Sequence, residues 1–412
     1  MIVLMVLAAI FSLTIAIIYI FLQSLHPSFY MHLSTDIFVF HARALYFWEH
    51  LNLTQLGHNE YQPGAIVFFI LLGAGAFFID NAIETFKWVL FTANTALIIL
   101  TAFFFHKMQK TAGIILLSVL LIFLGPILLF RFDLLVIFLL TLVFYMWEKG
   151  RFEIAMAILS FGVLVKVYPI IFLPYLLWLT FKKHKLINSM YLFSIFLSSL
   201  ISYFLFYVLF FQISFENTFI SYNFHNLKSV ATESVWASLI YFVHILRGIP
   251  LPAMESDFGI NAISRTELFP SIAFYNYFWI VPLGLLNLIY FLKKKTVHGI
   301  DYKFVALNLL VFLVFSKVLS NQYLGWFLFL LPLISLKDLL KKHWIINIFL
   351  VVLTTILHTF IYPLNYTEWL EILKQKQPDF ILTGSMLISS LILIILVIRM
   401  SYDVFRDHSE ES

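Results

Sequence analysis

The chain has 412 residues, of which 62% are hydrophobic, 19% aromatic and only 12% charged. A soluble domain carries about 25% charged residues, so no water-soluble fold could hide this much apolar surface. The net charge of +4 is spread over short lysine clusters, which speaks of topology rather than of a nucleic-acid surface. The absence of cysteine excludes disulfides, thiol nucleophiles and thiolate metal sites.

Apolar runs recur over 2–22, 63–79, 87–105, 113–130, 133–147, 152–166, 169–181, 188–212, 272–292, 304–316, 323–335, 344–362 and 381–399. Crossing the hydrocarbon as a helix takes about 17–25 apolar residues. Backbone polar groups must be satisfied internally there, so the spans are predicted to be helices. The expected fold class is therefore all-α: a polytopic, multi-pass membrane protein of about 12–13 helical segments, several of them short. Residues 1–400 are read as one integral-membrane domain, and 401–412 as a short, acidic, disordered tail. The 2–22 run lacks a basic start and a small-x-small cleavage site, and is expected to be a retained first helix.

Residues 31–64 form the first long polar interruption, expected to be an outer loop that opens with Asp36 and then runs into an amphipathic segment. His32 and His41 lie near it in sequence. The part from 113 to 181 is broken at Gly125–Pro126, at Arg131-Phe132-Asp133 and at Lys166-Val167-Tyr168-Pro169. Short or broken helices at membrane depth are tolerated where they line a cavity. Farther on, 213–271 and 363–380 are polar stretches rich in Trp and Tyr, expected at the membrane surface. Between them, Lys317-Val318-Leu319-Ser320-Asn321-Gln322-Tyr323 makes one more cation-bearing break.

Orientation follows the Lys/Arg bias of short loops. Lys149–Arg151, Lys182–Lys185, Lys293–Lys295 and Lys337–Lys342 read as cytoplasmic, which puts the charged breaks on the opposite face. Counting back past residue 110 conflicts with this unless 63–79 fails to cross or one short segment is re-entrant.

Ionisable groups at such depth cost about 2.5–3.5 kcal/mol each on insertion scales and persist when paired, when snorkelling or when they serve a site. A structural ion pair between Arg131 and Asp133, and snorkelling by Lys166 and Lys317, are the plain alternatives. As a functional set these residues suit sugar transfer from a polyprenyl phosphate. Asp36 is the acid placed to take a proton from an acceptor hydroxyl. Lys166, Arg131 and Lys317 are placed to stabilise the departing phosphate. Asp133, Tyr168, Gln322 and Tyr323 are expected to shape the pocket, and Glu233 and His225 to contact the acceptor. No metal site is expected, because no second carboxylate brackets Asp36. No phosphate loop, serine elbow or HExxH is present either.

Asp36, Glu60-Tyr61-Gln62-Pro63, Arg131-Phe132-Asp133, Gly162 with Lys166-Val167-Tyr168-Pro169 and Pro174, Glu233-Ser234-Val235-Trp236, and Ser320-Asn321-Gln322-Tyr323 with Trp326 follow one another in order. In that order and spacing, over about residues 30 to 335, the chain resembles glycosyltransferase family 87, the polyprenyl-phosphate-mannose-dependent mannosyltransferases of GT-C type. The Lys-x-Tyr-Pro and Ser-x-Gln-Tyr pieces are also similar to those of the first mannosyltransferase of GPI assembly. The resemblance implies a GT-C-like fold with a catalytic first outer loop and Asp36 as the catalytic acid. It implies inverting hexose transfer, mannose first, on the non-cytoplasmic face of the membrane (the plasma membrane in a prokaryote). The partners would be a lipid-linked sugar donor and a glycan or glycolipid acceptor, with no cofactor and no nucleic acid. Asn321 stands where the pattern has Pro, and Gln62 stands where a Pro-Pro pair is usual. The reading of another class is a polytopic transporter or lipid-linked-sugar flippase, which uses the same broken helices and buried charges.

Overall fold

The computed structural model describes residues 27–53, 61–77, 82–110, 127–227, 229–257, 260–263, 272–294 and 299–406, with a few positions between. The expected 2–22 span, Glu60, Gly125–Pro126 and 407–412 lie outside the described residues. What is described is mostly helical, 81% helix against 2% strand, so backbone hydrogen bonds are satisfied locally, as an apolar solvent demands. Five helices are long and apolar enough to cross a membrane: Ala82–Lys107, Leu186–Phe211, Tyr275–Lys293, Lys342–Leu364 and Phe380–Arg406. These mark the chain as membrane-embedded. Each coincides with a predicted apolar run.

Packing groups the chain into two compact units. The first takes the described residues of Met1–Ser118, Gly125–His225 and Thr296–Ile300. Its helices are α1 (Pro27–His50), α2 (Pro63–Ala76), α3 (Ala82–Lys107), α4 (Asp133–Glu148), α5 (Phe152–Val165), α6 (Leu173–His184), α7 (Leu186–Phe211) and α8 (Phe215–Leu227). A 3-10 turn, Tyr168–Phe172, joins α5 to α6.

Asp36 does not sit in a loop. It lies inside α1, because the polar stretch around it carries no helix breaker between Pro27 and His50. That stretch also places Ile37, Phe40, Ala44 and Phe47 at helical spacing, and all four are buried. Pro63 starts α2 at a position where its missing N–H costs nothing. With 14 residues, α2 is about 21 Å long, short of the ~30 Å hydrocarbon. A segment that cannot cross as a straight helix is one of the two ways out of the topology conflict before residue 110.

The glycines of α2 set its distance to its neighbours. A Cβ on Gly73 would lie 2.5 Å from Ala44 Cβ of α1. A Cβ on Gly64 would lie 2.9 Å from the backbone carbon of Leu164 and the backbone nitrogen of Val165, at the end of α5. Backbone cannot step aside as a side chain can. We expect Gly64→Ala to destabilise the protein by about 1–3 kcal/mol, read as a lower unfolding temperature in detergent. An unchanged midpoint would show that α2 and α5 are not in close contact.

Helices α4 and α5 form an antiparallel hairpin closed by Gly150, whose φ of +71° lies in the left-handed region. They have 16 and 14 residues, so the hairpin geometry alone brings the start of α4 beside the end of α5.

The second unit takes the described residues of Val119–Leu124, Asn226–Lys295 and Asp301–Ser412. Its elements are β1 (Val230–Ala231), α9 (Val235–Leu246), β2 (Met254–Asp257), β3 (Ile260–Ile263), α10 (Ile272–Tyr277), α11 (Ile280–Lys293), α12 (Tyr302–Phe315), α13 (Asn321–Leu328), α14 (Leu336–Leu339), α15 (Lys342–Thr359), α16 (Tyr366–Gln375) and α17 (Phe380–Arg406). The polar 213–271 stretch is thus organised. It holds helices and a three-stranded antiparallel sheet of order β1-β3-β2, with Val230 and Met254 both opposite Ile263. Trp369 and Tyr241 pack edge to face at 5.6 Å in the core beneath it.

The expected disordered tail from residue 401 is helical as far as Arg406. Asp403 explains why: it accepts from buried Asn347 of α15 at 3.0 Å, and Arg399 donates to the same Asn347 at 2.8 Å. The basic link around Lys337 is tied in the same way, with Lys303 and Lys341 each 2.9 Å from Asp338. Partial burial alone would push the Asp338 carboxyl up, but hydrogen bonds from Ser335, Lys341 and Lys303 hold it well below the usual carboxylate range.

Candidate functional site

Four of the expected charges meet in the first unit, in pairings that separation along the chain does not suggest. Asp133 is the first residue of α4, where the helix dipole favours a carboxylate. Lys166 follows the last turn of α5, where the dipole favours a cation. The hairpin sets them side by side, and Lys166 Nζ lies 2.7 Å from Asp133 Oδ1. Asp133 is fully buried and Lys166 nearly so. Lys166 therefore does not snorkel, and its partner is Asp133 rather than lipid phosphate.

Arg131 does not cap Asp133. Its guanidinium pairs with Asp36 of α1. Arg131 is held in place by Asn94 of α3, a fully buried amide that donates to Arg131 O at 2.7 Å and to Leu129 O at 2.8 Å. The turn before α4 is not closed by its own helix, so these carbonyls need an outside donor. Asn94 fills that role and was not singled out from the sequence. The signal was there, as a lone carboxamide in the middle of an apolar run.

Between the two pairs lies Phe132. Its ring is edge-on to Phe40, Tyr61 and Phe69 at 5.4–5.8 Å, while Phe40 and Phe69 stack at 4.3 Å. Lys166 Nζ sits 4.8 Å from the Phe132 ring, within cation–π range. Phe40 follows Asp36 by four residues, on the same face of α1. One helix face thus supplies both the carboxylate and the aromatic wall. Tyr168, buried in the 3-10 turn, adds its ring beside Asp133. Of the four charged side chains, Asp36 is the most accessible at 32% exposure, against 12% or less for the others.

The remaining expected residues belong to the second unit. Lys317 is buried, its amino group donates to Asn276 Oδ1, and its carbonyl accepts from Ala231 N of β1 at 3.0 Å. Gln322 Oε1 accepts from the Ser320 hydroxyl at 3.0 Å, and Tyr323 stacks on Trp326 at 4.1 Å. Asn321, at the unusual position of the Ser-x-Gln-Tyr piece, donates to Tyr362 O. A carboxamide there makes a bond that Pro could not. Glu233, just before the Ser234 cap of α9, accepts a hydrogen bond from Tyr366. Tyr366 in turn accepts from Asn261 Nδ2 at 2.9 Å. Glu233 lies outside the five long apolar helices. Burial pushes its carboxyl up to about 7 against the bonds that favour the anion.

The side chains of His32 and His225 lie outside the described residues, so their expected contacts do too. Tyr61 is 5.4 Å edge-on to Phe40, and His41 packs against Phe86. Among the described residues, no group of three or more His, Asp or Glu side chains converges as a metal site would require. No protein-family model matches the sequence, and no curated protein matches it.

Proposed function

We propose that the chain is a membrane glycosyltransferase that moves a hexose, most simply mannose, from a polyprenyl-phosphate sugar to a lipid- or glycan-linked acceptor. The observation that carries this reading is the Asp36–Arg131 pair. It couples an accessible carboxylate to a buried cation on a scaffold held by Asn94 and the Phe132 aromatic cluster. On this reading Arg131 has two successive anionic partners. Without donor it holds Asp36. When the lipid phosphate arrives it turns toward that anion, and the carboxylate is left to act as base.

The acceptor oxygen then attacks the anomeric carbon and its proton passes to Asp36. The bond from that carbon to the phosphate oxygen breaks, with the electron pair leaving on the polyprenyl phosphate. Arg131 stabilises the charge that develops there, which is where fixed cations act most strongly. Lys166 is the second candidate cation of the same unit, and Asp133 holds it. Lys317, Gln322 and Tyr323, expected from the sequence to contact the donor or shape the pocket, belong to the second unit and are given no part in this step.

The test is transfer of labelled mannose from polyprenyl-phosphate mannose in proteoliposomes, with the glucose and arabinose donors run beside it. Product formed from any of these donors supports the transferase. Movement of a lipid-linked sugar across the bilayer, with no new glycosidic bond, would replace it with the flippase reading.

A further inference from the structure

We propose that Glu233, Asn261, Tyr362 and Tyr366 form a binding subsite for a neutral polyhydroxylated ligand, a glycan of the kind that would serve as acceptor. The inference rests on the transferase reading for the word acceptor, but not for the binding itself. The four residues come from four segments of the second unit: the turn before α9, strand β3, the π-turn Phe360–Leu364, and α16. All four keep part of their surface exposed, unlike Trp369 and Tyr241 beneath them, which are fully buried.

The chemistry is that of a hydroxyl-reading surface. Asn261 donates to Tyr366 Oη at 2.9 Å, and Tyr366 donates to the Glu233 carboxylate. The relay runs in one direction and ends on a group that, once ionised, can only accept. A carboxylate and a carboxamide set side by side can take the two hydroxyls of a vicinal diol, one by accepting and one by donating. Tyr362, edge-on to Tyr366 at 4.8 Å, adds a ring against which the C–H face of a sugar can lie. The backbone under the ring is held by Asn321, whose side chain donates to Tyr362 O. A phosphate would not suit this place, since an acceptor-only carboxylate repels it.

The titratable groups facing the carboxylate are Tyr366 of α16 and Tyr241 of α9, with the non-titrating Thr232 hydroxyl beside them. Tyrosine ordinarily ionises near 10, so a change near neutrality belongs to Glu233. Because an ionised acceptor makes the stronger hydrogen bond, ligand affinity should rise with pH through about 7.

The experiment measures binding of an α-linked mannose disaccharide to the purified full chain in nanodiscs by saturation-transfer NMR at pH 6 and pH 8. Wild type, Glu233→Gln and Tyr366→Phe are compared, with maltose as a second probe. Glu233→Gln and Tyr366→Phe keep side-chain shape, and an unchanged unfolding temperature certifies both. The expected result is binding by wild type that is tighter at pH 8. Tyr366→Phe should bind roughly 3–10-fold more weakly. Glu233→Gln should bind at least as weakly and lose the pH dependence. Failure of wild type to bind either sugar, or binding by both variants equal to wild type, overturns the subsite. Because no donor is present, these outcomes are independent of transfer. A chain that binds the disaccharide but transfers from no donor would keep the subsite and discard the transferase.

Discussion

Asp36→Asn is expected to lower sugar transfer about 10²–10⁴-fold while leaving the protein folded. The carboxamide keeps the shape of the carboxylate and can still accept a hydrogen bond from Arg131, so α1 and the Phe40 aromatic wall stay where they are. What is lost is the basicity that takes the acceptor proton. The loss should fall on kcat, since Asp36 on this reading touches the reacting hydroxyl rather than the lipid. Arg131→Lys is the companion variant. It keeps the charge but not the planar fork, so it should hold the departing phosphate less well and lower kcat more than it raises KM. Undiminished transfer by a folded Asp36→Asn protein would remove Asp36 from the mechanism and leave the enzyme without its proposed base.

Asp133→Ala should destabilise the protein by about 3–5 kcal/mol. Asp133 is fully buried and Lys166 nearly so, 2.7 Å apart, and removing the acid leaves a cation in a place it cannot leave. Part of that charge is still met by the Phe132 ring and the end of α5, which limits the loss. The double variant Asp133→Leu with Lys166→Met replaces both ions by apolar groups of similar size. It should recover most of the stability, because the cost lies in the orphaned charge rather than in the absence of the pair. Unfolding in detergent, followed by tryptophan fluorescence, measures wild type, Asp133→Leu, Lys166→Met and the double variant, the four corners of the cycle. A double variant whose loss equals the sum of the singles would show that the two side chains do not interact. If the pair also serves the donor, the stable double variant should be inactive, which separates structure from chemistry at this position.

Much of the fold could be read from apolar run length. The predicted runs at 87–105, 188–212, 272–292, 344–362 and 381–399 correspond to the five long helices, and the break at Lys166–Pro169 is real. Run length is informative because the constraint is local: a backbone in hydrocarbon must close its own hydrogen bonds. Asp36 lies on a helix and not in a loop, because a polar stretch without a breaker remains free to be helical. Only exposure to water, not loss of helix, follows from polarity. The first part of the expected tail, 401–406, is helical because its acid, Asp403, has a partner, Asn347, 56 residues away.

Composition alone settled the solvent, the absence of thiol chemistry, and which charges are too costly to be incidental. The pattern of breaks in the apolar runs also named Asp36, Arg131, Asp133, Lys166 and Lys317 as a set. Which acid meets which cation was decided only by packing. Arg131 and Asp133 are two residues apart yet pair elsewhere, because adjacent side chains at a helix start point in different directions and the α4–α5 hairpin delivers Lys166 to Asp133. Asn94, Tyr366 and Asn261 enter through tertiary structure as well. A neutral polar side chain leaves no mark in a charge or hydropathy pattern, and its role exists only once a carbonyl or a hydroxyl from a distant segment is folded against it.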